Sequence, residues 1–294
     1  MLYRGLEIEE GPDYVQISGV KDFDAVHTFE CGQCFRWVRE MDGSYTGVVK
    51  NRVGNVKFQD GLLTIGNSGM KDFQDIWYDY LDLGRDYSAI KKALAKDEIM
   101  EKAVAFGYGI RLLRQNIWEA LISFIISSNN RIPRIMKVVA ALSHSYGEQL
   151  SAGGKSYYAF PAADRLKSAC LEELEVCKGG YRCKYILNTA EKVVKGAVEL
   201  DKLGELDADN ARELLTGLPG VGNKVADCIL LYSGTKYDVF PTDVWVKRVM
   251  EELYLKREAS FKEIQAFARE YFGPLAGFAQ QYLFYYAREN RIGV

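Results

Sequence analysis

No stretch of this chain stays apolar long enough to cross a membrane. The longest apolar run, residues 120–126, is interrupted by Ser123 and falls far short of the roughly 18 residues a span requires. An apolar signal-peptide core is also lacking: Met1-Leu-Tyr-Arg-Gly-Leu-Glu7 turns acidic at once. The expectation is an intracellular protein of the cytoplasm or nucleoid. Cysteine is scarce, with six residues (31, 34, 170, 177, 183 and 228), which excludes a disulfide scaffold and fits a reducing compartment. Histidine is scarcer still. His27 and His144 are the two present, and Cys31-x-x-Cys34 is the one tight cysteine pair. A Cys–Cys–His27 metal site is conceivable, but buried thiols are the simpler reading and no metal is expected.

Net charge is nearly absent too, with 38 basic against 40 acidic groups, or −2. The average hides an asymmetry. Residues 1–101 carry 12 basic and 18 acidic groups, residues 102–200 carry 14 and 8, and the remainder 12 and 14. A basic middle third is weak support for a phosphate-binding face. What is present is ordinary globular material, 48% apolar and 27% charged, which excludes disorder, collagen-like repeats and coiled coil. At about 150 residues per domain, 294 residues suggest two.

Residues 6–67 read as short strands, at 35–40, 44–50, 55–59 and 62–65, punctuated by Asp42-Gly43 and Asp60-Gly61 as hairpin turns. This predicts an antiparallel meander. From Lys71 onward the period lengthens to that of helix. Asn116 suits the N-cap of an almost wholly apolar helix over 117–127. Further helices are expected at 134–146, 171–177, 182–202, 208–215, 224–233, 244–255, 261–272 and 275–289. The fold class is α+β, with a small antiparallel sheet domain over 1–105 and a helical body over 106–294.

The most informative segment is Leu218-Pro-Gly-Val-Gly-Asn-Lys224-Val-Ala-Asp-Cys228, inside a helix–turn–helix over 211–233. Gly220 and Gly222 can take positive φ and carry no Cβ, so the backbone can approach a bulky ligand. The N–H groups around Val221 and the start of the second helix suit a phosphate, a route to DNA that needs no net positive charge. A plain connector with a glycine C-cap is the bland alternative. Lys224 sits in the first turn, where a cation opposes the helix dipole. Partly desolvated there, it is expected to lose its proton readily and act as a nucleophilic amine. Asp243, at the start of the helix after Phe240-Pro-Thr, is at least an N-cap, and can also face the lysine across the hairpin.

This hairpin, lysine and Pro-x-Asp order resembles the helix-hairpin-helix glycosylase superfamily, and within it the 8-oxoguanine DNA glycosylases. Five motifs in order carry the resemblance along almost the whole chain: Cys31-Gly-Gln-Cys-Phe-Arg-Trp37, Ser127-Ser-Asn-Asn-Arg-Ile-Pro-Arg134, Gly180-Tyr-Arg182, Lys224-Val-Ala-Asp-Cys228 and Ala276-Gly-Phe-Ala-Gln-Gln-Tyr-Leu-Phe284. The implied fold is a TBP-like sheet domain packed on the glycosylase body, and the implied partner is double-stranded DNA containing 8-oxoguanine.

The resemblance also implies roles. Lys224 would attack C1′ of the sugar, with Asp243 stabilising the developing charge. Gly32 would offer its carbonyl to the N7–H of 8-oxoguanine, Gln280 would read the Watson–Crick edge, and Cys228 and Phe284 would sandwich the ring. Asn129, Arg134 and Arg182 would bond the orphaned cytosine, and Tyr181 would wedge into the stack. Helical spacing supports two of these sets independently, because Lys224, Cys228 and Tyr232 share one helix face and Gln280 and Phe284 another. Tyr232 stands where the family pattern has a smaller apolar residue, and Trp245 where it has a phosphate-contacting histidine. No cofactor is required, although the carbonyls of Leu218 and Val221 could hold a structural cation. No cysteine follows Cys228, so the iron–sulfur branch of related enzymes is excluded. A monomeric bifunctional glycosylase and lyase is the expectation. A monofunctional alkylbase glycosylase using Asp243 with water, and a non-catalytic DNA binder, are the alternatives.

Overall fold

A computed structural model describes residues 1–293. Seven strands form one fully antiparallel sheet: β1 (Leu2–Tyr3), β2 (Leu6–Glu10), β3 (Tyr14–Ser18), β4 (Trp37–Arg39), β5 (Tyr45–Val49), β6 (Arg52–Gln59) and β7 (Leu62–Gly66). Their order is β1-β2-β3-β7-β6-β5-β4. The expected meander is therefore only β4 to β7. Strand β3 closes onto β7; it alternates cleanly, with Val15 and Ile17 buried between half-buried neighbours, but its pairing with β7, far along the chain, has no local signature. The Asp60-Gly61 turn holds as expected. Both residues have positive φ (53° and 77°), as a two-residue turn matched to strand twist requires. One face buries Val15, Ile17, Val56, Leu63 and Ile65 beneath Phe73 and Trp77.

The chain between β3 and β4 matters most for function. A helix, Ala25–Glu30, capped by Asp24, leads into the loop that bears Gly32. Residues 109–115 strap this loop down. Thr28 Oγ1 donates to the Gly109 carbonyl (3.0 Å), Gln33 Nε2 to that of Arg111 (2.7 Å), and Leu113 N to Gln33 Oε1 (2.8 Å).

The helical body surrounds Ile117–Ser127, whose residues 120–126 are all buried and whose first amides are capped by Asn116 as expected. Helices Tyr87–Leu94 and Glu98–Phe106, counted with the sheet in the 1–105 division, bury Tyr87, Leu94, Met100 and Val104 in this second core. Two helices are shorter than their periodicity predicts. The one expected over 182–202 ends at Val194, because Gly196 turns left-handed (φ 71°), and a 3-10 turn, Leu200–Gly204, follows. The one expected over 244–255 is regular to Met250 and then widens into a π turn, Glu251–Leu255, stopped by left-handed Lys256. A hairpin, β8 (Gln149–Ala152) and β9 (Lys155–Tyr158), had no expectation in the sequence; its turn is Gly153-Gly154.

The two helices of the helix–turn–helix, Ala208–Thr216 and Asn223–Tyr232, are clamped by Arg212. Its Nε meets the buried Asp227 carboxylate at 2.5 Å and its Nη1 meets Asp209 at 2.5 Å. Burial raises the Asp227 pKa from 3.8 to about 6 even against Arg212. Folding therefore takes up a proton at this site, and stability falls as pH rises from about 4 to about 6. Asp227→Asn should remove that slope, worth up to about 3 kcal/mol at two pKa units, in urea melts of the two proteins compared across this window. Parallel pH dependences would show that the carboxyl is not desolvated.

Candidate active site

The hairpin, the helix N-terminus at Asp243, the Gly32 loop and the last helix, Ala276–Glu289, converge on one cavity of about 580 Å³. Lys224, Cys228, Tyr232, Asp243, Gln280, Phe284 and Gly32 all line it. Both helical faces read from the sequence thus point into the same space, and Phe35 and Phe124 complete its apolar wall.

Lys224 is half-buried, with its Nζ 5.9 Å from the centre of the Phe124 ring. Among the described residues, no carboxylate lies within the 4.0 Å of an ion pair with it. Its proton is nonetheless held more tightly than in a free lysine. Cys228 raises the lysine pKa most, burial opposes this, and the Asp243 carboxylate raises it further. This corrects the direction expected from the helix dipole alone. Burial pushes the Cys228 thiol up to about 11, even though the Lys224 charge beside it pulls the other way. Asp243 is an N-cap, as expected. Its Oδ1 accepts from Val246 N at 2.8 Å, and its other oxygen takes no hydrogen bond from the described residues.

At the opposite wall Gly32 has φ 93°, and a Cβ there would lie 3.3 Å from both Phe284 Cε1 and Arg288 Nη1. Any side chain would be strained and would press into the cavity. The carbonyls of Cys31 and Gln33 each accept a side-chain amide; that of Gly32 accepts none among the described residues. Gln280 is 3% exposed, and its Oε1 is buried without a partner among the described residues. An unpaired buried acceptor at a cavity wall costs about 1–3 kcal/mol unless a ligand donor meets it.

Two family models divide the chain between them. The N-terminal domain of 8-oxoguanine DNA glycosylase matches residues 16–121, and the HhH-GPD superfamily of base excision DNA repair proteins matches residues 122–274. The chain belongs to the 8-oxoguanine DNA glycosylase family. A probable N-glycosylase/DNA lyase of Methanothermobacter thermautotrophicus is 33% identical, over 92% of this chain and 95% of its own. The 8-oxoguanine glycosylase/lyase of Clostridium acetobutylicum, solved with double-stranded DNA containing cytosine opposite 8-oxoG, is 45% identical with a TM-score of 0.95. It covers 97% of this chain and 99% of its own. A structure of MBOgg1 with a low-affinity DNA ligand is 51% identical, again with a TM-score of 0.95 and the same coverage. The protein is an enzyme of the N-glycosylase/DNA lyase type, with the α+β architecture read from its sequence.

Elsewhere in this glycosylase the structure redistributes the expected tasks. Asn130 caps the central helix, its Nδ2 donating to the Ile126 carbonyl at 3.1 Å, whereas Asn129 is exposed in a left-handed conformation (φ 48°). Arg134 is exposed, as is Tyr181 at 54%. Arg182 is not exposed. It is buried and donates to the carbonyls of Ser128, Asn129 (3.1 Å) and Gly179 (3.4 Å). In the free protein it therefore supports the turn that presents Asn129, a role the motif did not disclose.

At the hairpin, Gly220 has φ 79°, and a Cβ there would lie 2.5 Å from the Tyr185 ring. Gly222 departs from expectation: it is extended (φ −95°) as the N-cap of the second helix and faces open space. The Val221 side chain is buried and its N–H closes the turn onto the Leu218 carbonyl at 3.2 Å, whereas the Gly220 and Gly222 amides donate to no group among the described residues. Trp245 lies in the cavity wall, edge-on to Phe284 (5.1 Å, 82°), and its Nε1 donates to the Ile292 carbonyl at 3.1 Å. Its one donor is thus taken within the protein, unlike that of a phosphate-contacting histidine.

Proposed function

We propose that this glycosylase is a bifunctional enzyme that flips 8-oxoguanine from opposite cytosine, excises it through a Lys224 Schiff base, and cleaves the strand by β-elimination. The observation that carries this is a lysine amine without a carboxylate ion pair among the described residues, in one cavity with Asp243. As the C1′–N9 bond breaks, Asp243 balances positive charge on the sugar. The base leaves with the electron pair and takes up the proton that Lys224 must surrender. The Nζ–C1′ bond then forms, and the ring opens as the nitrogen passes a proton to O4′, which yields an imine; the imine draws the electrons of the C2′–H bond, whose proton passes to water, as the 3′ phosphate departs. The chemistry calls for no metal or organic cofactor.

Gly32 O and Gln280 supply the acceptor and the amide for the damaged base, between Cys228 and Phe284. Unpaired polar atoms in a dry pocket discriminate well, because the wrong base leaves them unsatisfied. Asn129 and Arg134, with Arg182 behind them, face the orphaned cytosine, and Tyr181 fills the gap in the stack. The amides of Gly220 and Gly222 at the helix N-terminus suit a phosphate. The carbonyls of Leu218 and Val221 keep lone pairs for a structural cation beside it. The reading includes an intracellular monomer.

Borohydride reduction during turnover of an oxoG·C duplex tests the proposal. A covalent protein–DNA adduct is expected, and free base release without adduct would sink the bifunctional reading. Opposite-base selectivity gives a second test. Excision should fall when adenine replaces cytosine, and Arg134→Ala should narrow that gap by about tenfold, the worth of one charge-assisted hydrogen bond. Equal rates opposite all four bases in the intact protein would remove Arg134 from this role.

A further inference from the structure

Tyr232 lines the base cavity, yet none of the chemistry above uses its hydroxyl. That hydroxyl donates to Gln281 Oε1 at 2.8 Å, and Gln281 Nε2 donates to the Cys31 carbonyl at 3.1 Å. The backbone carbonyl of Tyr232 accepts from Gln115, at N (3.0 Å) and at Nε2 (3.3 Å), and the same Nε2 donates to the Gln33 carbonyl at 2.8 Å. The peptide carbonyls on both sides of Gly32 are therefore tied to Tyr232 by separate routes. The Gly32 carbonyl between them takes no hydrogen bond from the described residues, and Gly32 itself lines the cavity. The chain cannot swing freely: Tyr232 and Gln281 are 4% and 1% exposed, and the phenol ring is stacked on Phe124 at 5.2 Å and 17°. Burial holds the phenol well above its ordinary pKa, so it remains a donor.

We infer that Tyr232 is a specificity-determining positioning residue, which through Gln281 and Gln115 fixes the direction of the Gly32 carbonyl toward the base. The inference rests on the reading of Gly32 given under Proposed function. A fixed acceptor rewards a purine that presents N7–H and repels one that presents an N7 lone pair. A mobile peptide turns away from the lone pair, so both the reward and the penalty shrink. Loosening the chain should thus cost discrimination between bases more than it costs folding.

The test compares affinities for oxoG·C and G·C duplexes, measured in a Lys224→Gln background so that no substrate is consumed. The preference for oxoG·C should fall about tenfold in Tyr232→Phe, the worth of one hydrogen bond. Gln281→Met should give the same loss, and keeps the test alive if Tyr232→Phe does not fold. The double variant should lose no more than either single one, because all break one chain. A preference that survives Tyr232→Phe, or losses that multiply in the double variant, would overturn the inference while leaving the Gly32 reading intact. Absence of any preference with Tyr232 in place would overturn both.

Discussion

Lys224→Gln should leave no borohydride-trapped adduct and lower strand cleavage on an oxoG·C duplex by on the order of 10⁴-fold, the cost of removing a covalent nucleophile. The substitution keeps length and polarity, and no carboxylate among the described residues pairs with the lysine, so thermal stability should change little. A melting curve recorded beside the trapping gel separates lost chemistry from lost fold. An adduct of undiminished yield would place the nucleophile elsewhere. The pKa direction adds a second signature. Cys228 and Asp243 hold the ammonium above the ordinary lysine value, so the neutral amine is rare at pH 7. Trapping on a preformed abasic site should accelerate with pH, by about tenfold per unit while the ammonium predominates. A flat profile would contradict the raised pKa.

Asp243→Asn is expected to slow base excision by on the order of 10²-fold or more, the scale seen when a preorganised charge facing a transition state is removed. Two functions of this carboxylate separate cleanly in that variant. Asparagine caps a helix about as well as aspartate, so the bond from Val246 N to the side-chain oxygen and the melting temperature should persist. The charge alone is lost. Asp243 also contributes to the raised lysine pKa, so the alkaline limb of the trapping profile should move to lower pH. Wild-type excision by Asp243→Asn would reduce Asp243 to a cap. A collapsed melting temperature would mean that Asn does not take over the cap, contrary to the argument.

The site was legible to unequal degrees. Lys224, Cys228 and Tyr232 on one face, and Gln280 and Phe284 on another, follow from a period of 3.6 residues, and the structure brings both faces to one cavity. Gly220 at positive φ and the Asp243 cap were equally readable from turn and cap chemistry. Gln281 was not, because nothing local to Tyr232, 49 residues away, announces the hydrogen bond between them. Arg182 looked like a DNA-facing cation. Its burial against the carbonyls of residues 128, 129 and 179 depends on how two helices pack. The π turn after Met250 and the hairpin of β8 and β9 likewise lack a local signature distinct from an ordinary helix or loop.

By itself the sequence determined which elements form, where helices begin, which side chains share a helix face, and which motifs stand in order. These are properties of residues within a few positions of one another, ruled by backbone sterics, capping and periodicity. Tertiary structure alone decided that the Gly32 carbonyl finds no donor among the described residues while its neighbours are paired, that Trp245 turns its N–H to the Ile292 carbonyl, and that the Lys224 proton is held rather than released. Each outcome depends on groups meeting across the fold, from Gly32 at one end of the chain to Gln281 and Ile292 at the other. Hydrogen bonding, burial and charge act over a few ångströms of space, whatever the separation along the chain.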